Sequence, residues 1–178
     1  MIRFILVRHG ETVENASWIC QGYLEGRLSE KGIQENRRLA KELRWEKIDK
    51  CYSSPLSRAR ETGEAILKYH PVELQTDRRL IERDMGILTG KRFPEGYALN
   101  RDYPKMESIT DLAVRLHSFL EERFSKAGDQ SVILITHGIT IMVLIRILKG
   151  QEWEHLDLES MPANSSATII ETGDSFRL

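Results

Sequence analysis

Apolar residues run along this chain in two rhythms. Unbroken runs at residues 4–7 (Phe-Ile-Leu-Val) and 131–135 (Ser-Val-Ile-Leu-Ile) have the length and β-branched content of strands buried on both faces, as inside a parallel sheet. Shorter runs at 48–52, 72–76 and 167–170 predict further strands, and a last pairing segment is expected at 175–178. Between the runs, apolar residues recur at three- and four-residue spacing. Ser29 is a natural N-cap for a helix over 30–45 with Ile33, Leu39, Ala40 and Leu43 on its stripe. A helix over 56–69 is stopped by Pro71, and one over 108–126 carries Ile109, Leu112, Leu116, Phe119, Leu120 and Phe124 and closes at Gly128. Residues 139–149 form a more uniformly apolar helix directly after the second long strand.

Two stretches break the rhythm. Residues 11–28 are polar and punctuated by glycine, with Trp18, Ile19 and Tyr23 arguing for order; residues 91–107 hold Pro94, Gly96 and Pro104 without a clean period. Strands alternating with helices predict an α/β fold, a three-layer α/β/α sandwich around a mainly parallel sheet. The length suits one domain over 1–178, with 91–107 a short variable insert over the site.

The chemistry sits where the two long strands stop. The first runs into Arg8-His9-Gly10-Glu11-Thr12 and the second into Thr136-His137-Gly138, and in open α/β sheets ligands bind beyond the carboxyl ends of strands. Alone, either end reads equally well as an ordinary solvent-facing terminus. As neighbours in one parallel sheet, the two would send both imidazoles into one crevice. Arg58, at a strand exit and the first turn of a helix, could add a planar fork matched to a phosphate. It reads equally as a solvated helix charge, and Arg60 competes with it. Composition does not separate Glu82 from Asp84 as a proton carrier.

Lys and Arg number 26 against 27 Asp and Glu, a formal net charge of −1, so no global field favours nucleic acid or an anionic membrane. The strand begins at once, without a signal core, and residues 139–148 are too short to span a bilayer and carry Arg146. A cytoplasmic protein is expected. Cys20 and Cys51 lack metal or redox spacing and read as reduced thiols. His70, His117 and His155 read as structural or surface residues.

The blocks Leu6-Val7-Arg8-His9-Gly10-Glu11-Thr12, Asn15, Gln21-Gly22, Leu28-Ser29-Glu30-Lys31-Gly32, Ser53-Ser54-Pro55-Leu56-Ser57-Arg58-Ala59, Glu82-Arg83-Asp84-Met85-Gly86, Glu107-Ser108 and Thr136-His137-Gly138 resemble, in order, the signatures of the histidine phosphatase superfamily. That group contains cofactor-dependent phosphoglycerate mutases, fructose-2,6-bisphosphatases and α-ribazole phosphatases. The resemblance implies a phosphoglycerate mutase-like fold and a phosphohistidine formed on His9. It implies that Arg8, Arg58 and His137, helped by Asn15, hold the phosphoryl oxygens, and that Glu82 serves the leaving group and then the incoming water. Gln21, Gly22, Arg83 and Gly138 are further candidates for phosphate or substrate contact; for Gln21, as for Trp18 and Tyr23, ordinary packing reads equally well, and for Arg83 the alternative is a surface salt bridge.

No metal and no cofactor are expected, since two arginines and a second histidine can supply the charge that Mg²⁺ supplies in kinases. The first expectation is a phosphatase acting on small phosphorylated metabolites. Phosphoglycerate mutase activity is the alternative. It is weakened by an insert of only 17 residues, whose Lys91, Arg92, Arg101 and Lys105 do not match the mutases' longer arginine-bearing insert. A non-catalytic phosphate-binding or interaction module is the second alternative, but such a module would have lost its nucleophile or acid. The tail's Trp153, Leu156 and Leu158 would pack either on the core or on a second subunit, as a homodimer.

Overall fold

The computed structural model describes residues 1–173. Five strands, β1 (Ile2–Arg8), β2 (Lys50–Ser53), β3 (Leu74–Thr76), β4 (Gln130–Thr136) and β5 (Ala167–Thr172), form one sheet in the order β3-β2-β4-β1-β5. The first four in that order pair in parallel, and β5 closes the edge antiparallel to β1. Helices α1 (Val13–Ala16), α2 (Glu30–Glu42), α3 (Ser57–Leu67), α4 (Ile109–Phe124) and α5 (Gly138–Leu148) supply the outer layers.

Strand alternation divides the core. Phe4, Leu6, Val132 and Leu134 face α4 and α5, while Ile5, Val7, Ile133 and Ile135 face α2 and α3. Both faces of the central strands are therefore buried, which is why β1 and β4 read as continuous apolar runs. The register pairs Arg8 with Thr136, so each histidine lies one residue beyond the last rung of adjacent strands.

The elements differ from the expected ones mainly at their ends. The helix expected over 30–45 stops at Glu42 and finishes as a 3₁₀ turn, Leu43–Trp45; the strand expected from 72 starts at Leu74. Helix α1, four residues closed by a Thr12–Asn15 capping box, is too short to show a period. Trp18 and Tyr23 do not order the loop by burial, since both are exposed; it is held instead by buried Cys20 and Gln21 and by the Arg58 side chain. In the tail, Leu156 and Trp153 pack against the α4–α5 side of the core. Asn100 exchanges two hydrogen bonds with the Leu156 backbone, joining the 91–107 segment to that tail. The segment expected to pair at 175–178 lies outside the described residues. Cys20 and Cys51 are free and buried. No described helix is long and apolar enough to cross a membrane.

Candidate active site

His9 is held through its backbone from three directions. Its N–H donates to Thr136 O on β4 (3.0 Å), while its carbonyl accepts from Ser165 N (3.2 Å) and Asn164 Nδ2 (3.0 Å) in the turn before β5. The next N–H, of Gly10, donates to Thr62 Oγ1 on α3 (3.0 Å). Thr62 also accepts from Asn36 Nδ2, and Asn36 Oδ1 accepts from Ser165 Oγ, so α2, α3 and the β5 turn share one buried polar network beside His9 and Gly10. Gly10 is required there: a Cβ would stand 2.7 Å from Asn36 Nδ2.

The imidazole's tautomer follows from its partner. His9 Nδ1 lies 2.7 Å from Gly10 O, and a carbonyl only accepts, so Nδ1 carries the hydrogen and Nε2 keeps its lone pair. Arg58 Nε donates to that Nε2 (3.3 Å). Burial, then the charges of Arg58 and Arg8, hold the His9 pKa well below the ordinary value, so the ring is neutral at pH 7.

Arg58 is buried and anchors the 11–28 loop, donating to Gly22 O (2.9 Å), Glu25 O (3.0 Å) and Leu24 O. Desolvation lowers its pKa to about 10 against the opposing pull of Glu82. Arg60, its competitor in the sequence, is exposed. Arg8 reaches back to Pro162 O (2.5 Å) and keeps a buried Nε without a hydrogen-bond partner.

His137 lies behind His9, ring centroids 5.1 Å apart, and is fully buried. Its Nε2 is 2.8 Å from Ser54 Oγ, while its Nδ1 has no partner. When the serine hydroxyl donates to Nε2, Nδ1 carries the proton and is a donor in waiting. Burial and Arg58 also hold this ring neutral.

Glu82 follows the 3₁₀ turn Arg78–Leu80 and meets the start of α5. That helix lacks a side-chain cap of its own from His137, and the Glu82 carboxylate takes the role, accepting from Ile139 N (3.2 Å), Thr140 N (3.1 Å) and Thr140 Oγ1 (3.0 Å) besides Arg83 N (2.9 Å). Backbone and hydroxyl donors thus meet the carboxylate on both oxygens. Arg115, paired with Glu107, fixes the Glu82 carbonyl (2.9 Å). Asp84 instead closes a local turn onto Gly86 N (2.9 Å).

Apart from His137, which does not itself line it and is fully buried, these groups share one cavity of about 670 Å³ lined by Arg8, His9, Asn15, Arg58 and Glu82, together with Gln21 and Gly22. Asn15 Oδ1 is occupied by Thr12 N and Asn164 Nδ2, leaving the amide nitrogen as its donor. Cys20 lines the same cavity, but burial and Glu82 push its thiol up to about 12, which keeps it protonated.

Two further candidates stand outside the lining. Arg83 is fully buried beneath the site and does not line the cavity: its guanidinium is used on Glu107 O (2.6 Å) and Leu99 O (2.8 Å), which ties down the 91–107 segment. Gly138 does not line the cavity either; it makes room, since a Cβ there would meet Met161 Sδ at 3.0 Å and Arg8 Cζ at 3.3 Å. Residues that the sequence did not single out complete the surroundings: Asn164 and Ser165 on the His9 carbonyl, Thr62 and Asn36 below Gly10, and Phe93 and Tyr97 on the cavity wall. Only the Pro-Ala-Asn-Ser-Ser turn composition before β5 hints at the first pair.

The description of the histidine phosphatase superfamily (branch 1) matches residues 4–177. The chain belongs to that superfamily. Among its relatives in it, phosphoserine phosphatase 1 of Hydrogenobacter thermophilus is 31% identical over 84% of this chain and 77% of its own length. A probable phosphoglycerate mutase of Yersinia pestis is 30% identical over 84% and 76%. Among solved structures, Bacillus stearothermophilus YhfR superposes with a TM-score of 0.83 at 27% identity, covering 98% of this chain and 93% of that one. As a histidine phosphatase, the chain is an enzyme with phosphatase or mutase activity, and its mainly parallel sheet flanked by helices is that of the phosphoglycerate mutase-like members.

Proposed function

We propose that the protein is a metal-independent phosphomonoesterase that hydrolyses small phosphorylated metabolites through a phosphohistidine on His9. The observation that carries this reading is the His9 tautomer. Nδ1–H is committed to Gly10 O, so Nε2 keeps a lone pair beside a cavity lined by Arg8 and Arg58; it accepts a long hydrogen bond from Arg58 Nε (3.3 Å) that an incoming phosphoryl group would replace. In-line attack forms the Nε2–P bond and breaks the bond from phosphorus to the alcohol oxygen. Arg8, Arg58, the Asn15 amide and His137 Nδ1–H take up charge on the equatorial oxygens. Glu82 Oε1 takes three of the four hydrogen bonds, so Oε2 is the oxygen that carries the proton in the acid form that enters the cycle and gives it to the departing alkoxide. Water then attacks the phosphohistidine and surrenders a proton to Glu82, releasing inorganic phosphate and restoring both residues.

The choice of hydrolysis over mutase chemistry rests on the far wall. A mutase must hold a second anionic group, the carboxylate of a phosphoglycerate, against water. Beyond the phosphoryl cluster this cavity presents Phe93, Pro94, Tyr97, Leu158 and Met161, with Arg92 as the one cation there among the described residues. Supplying 3-phosphoglycerate with a bisphosphoglycerate primer tests it. Free phosphate should appear faster than 2-phosphoglycerate; the reverse order makes the protein a mutase.

A further inference from the structure

Trp18 is out of place as a structural residue. Its side chain is 74% exposed at the mouth of the cavity, and its backbone lies at φ 57°, a left-handed conformation that bulky side chains rarely adopt. The conformation is enforced from outside: Trp18 N donates to Asn15 O (3.0 Å), Phe93 N donates to Trp18 O (3.3 Å), and Ile19 bridges to Arg92. A large exposed ring on strained backbone gains little from folding, and such strain clusters at ligand clamps.

The neighbouring wall repeats the pattern. Phe93 is 38% exposed and lines the cavity, its ring 4.8 Å from that of Tyr97, which is backed by Tyr103 at 6.0 Å. The Tyr97 hydroxyl is buried with no hydrogen-bond partner. An unpaired buried hydroxyl is the second feature that stability does not account for. The two aromatic elements come from different segments, the loop after His9 and the 91–107 segment, and are stitched together where they meet by Cys20 N to Lys91 O and Gly90 N to Cys20 O (both 2.8 Å).

We infer that this wall is a specificity subsite and that the enzyme prefers phosphomonoesters whose alcohol carries a flat aromatic ring, seated against Trp18 and Phe93 beside Tyr97, over esters of small polyhydroxylated or zwitterionic alcohols. The inference rests on the phosphatase reading above and deepens it. Ring faces gain from stacking beyond their area, whereas a sugar or serine side would leave polar groups unpaired against such a wall.

The test compares 2-phenylethyl phosphate with glycerol 1-phosphate and O-phosphoserine, all alkyl esters, so that leaving-group acidity does not decide the outcome. The expected kcat/KM for the phenylethyl ester is about tenfold higher, carried mainly by KM. Trp18→Ala and Phe93→Ala should each shrink that preference severalfold. Trp18→Gly should shrink it too while raising the melting temperature, because glycine accepts the left-handed backbone; a purely structural tryptophan would lose stability instead. Equal kcat/KM for all three esters, or a preference that survives both alanine variants, overturns the subsite. No turnover of any of them, with no phosphate on His9, overturns the phosphatase reading itself.

Discussion

The neutral state of the two buried imidazoles has a consequence for stability that can be measured without any substrate. His9 and His137 both have pKa values held well below the ordinary histidine value, first by burial and then by Arg58. In the unfolded chain each titrates near pH 6.5. Below that pH the unfolded state binds protons that the folded state refuses, so stability falls as pH falls, by about 1.4 kcal/mol per pH unit for each ring until the folded-state pKa is reached. The pair therefore contributes a slope of about 2.7 kcal/mol per pH unit below 6.5, large against a typical total of 5–15 kcal/mol. Carboxylates such as Glu11, Glu25 and Asp77, whose pKa values are lowered, lose their contributions only at more acid pH, so the window from 7.5 to 5.5 isolates histidine. His70, partly buried with a lowered pKa, adds in the same direction and is subtracted with a His70→Gln control. Urea unfolding followed by circular dichroism across that window gives the slope, and His137→Asn or His9→Asn should each remove about half of it. A flat profile, or a slope untouched by both substitutions, would refute the neutral buried pair and with it the Nε2 lone pair on which the chemistry rests.

Other consequences are more local. Glu82→Gln should cost about 10²–10⁴ in kcat/KM on alkyl phosphates and far less on 4-nitrophenyl phosphate, whose leaving group needs no proton; equal losses on both would move the acid elsewhere, with Asp84 first in line. Thr62→Val leaves Gly10 N and Asn36 Nδ2 without their acceptor and should destabilise the fold by about 2–4 kcal/mol while lowering kcat, with Thr62→Ser restoring both. Activity should persist in EDTA, since Arg8 and Arg58 supply the positive charge; loss on chelation, restored by Mg²⁺ or Zn²⁺, would contradict that assignment.

Much of the framework was legible because burial on both faces erases alternation. Phe4 to Val7 and Val132 to Ile135 could be recognised as central strands, and their His-Gly ends became one crevice because β1 and β4 pair in register. What periodicity could not decide was the direction of individual cations. Arg58 and Arg60 are two residues apart on one helix turn, and only the packing of the 11–28 loop over α3 buries the first and leaves the second in solvent. Arg83 beside the proposed acid could be read as a substrate contact or a surface salt bridge; the fold uses it on two carbonyls, with Asp102 3.8 Å from its Nη2. For Trp18 the sequence left packing and substrate contact equally open, and it is the most exposed aromatic of its loop. Asn164, 155 positions from His9, was hidden for a different reason: its contact is made from the turn that leads into the antiparallel edge strand, and the composition of a short polar turn does not say which backbone it will meet.

The central claim is that phosphoryl groups pass through His9 Nε2. Rapid acid-free quenching of the enzyme during turnover of a ³²P-labelled monoester, followed by peptide mapping, measures it directly. We expect base-stable, acid-labile label on the peptide containing His9 and none on the His9→Ala protein, which should also be inactive. Full turnover by His9→Ala, or label on any other residue, would contradict the account.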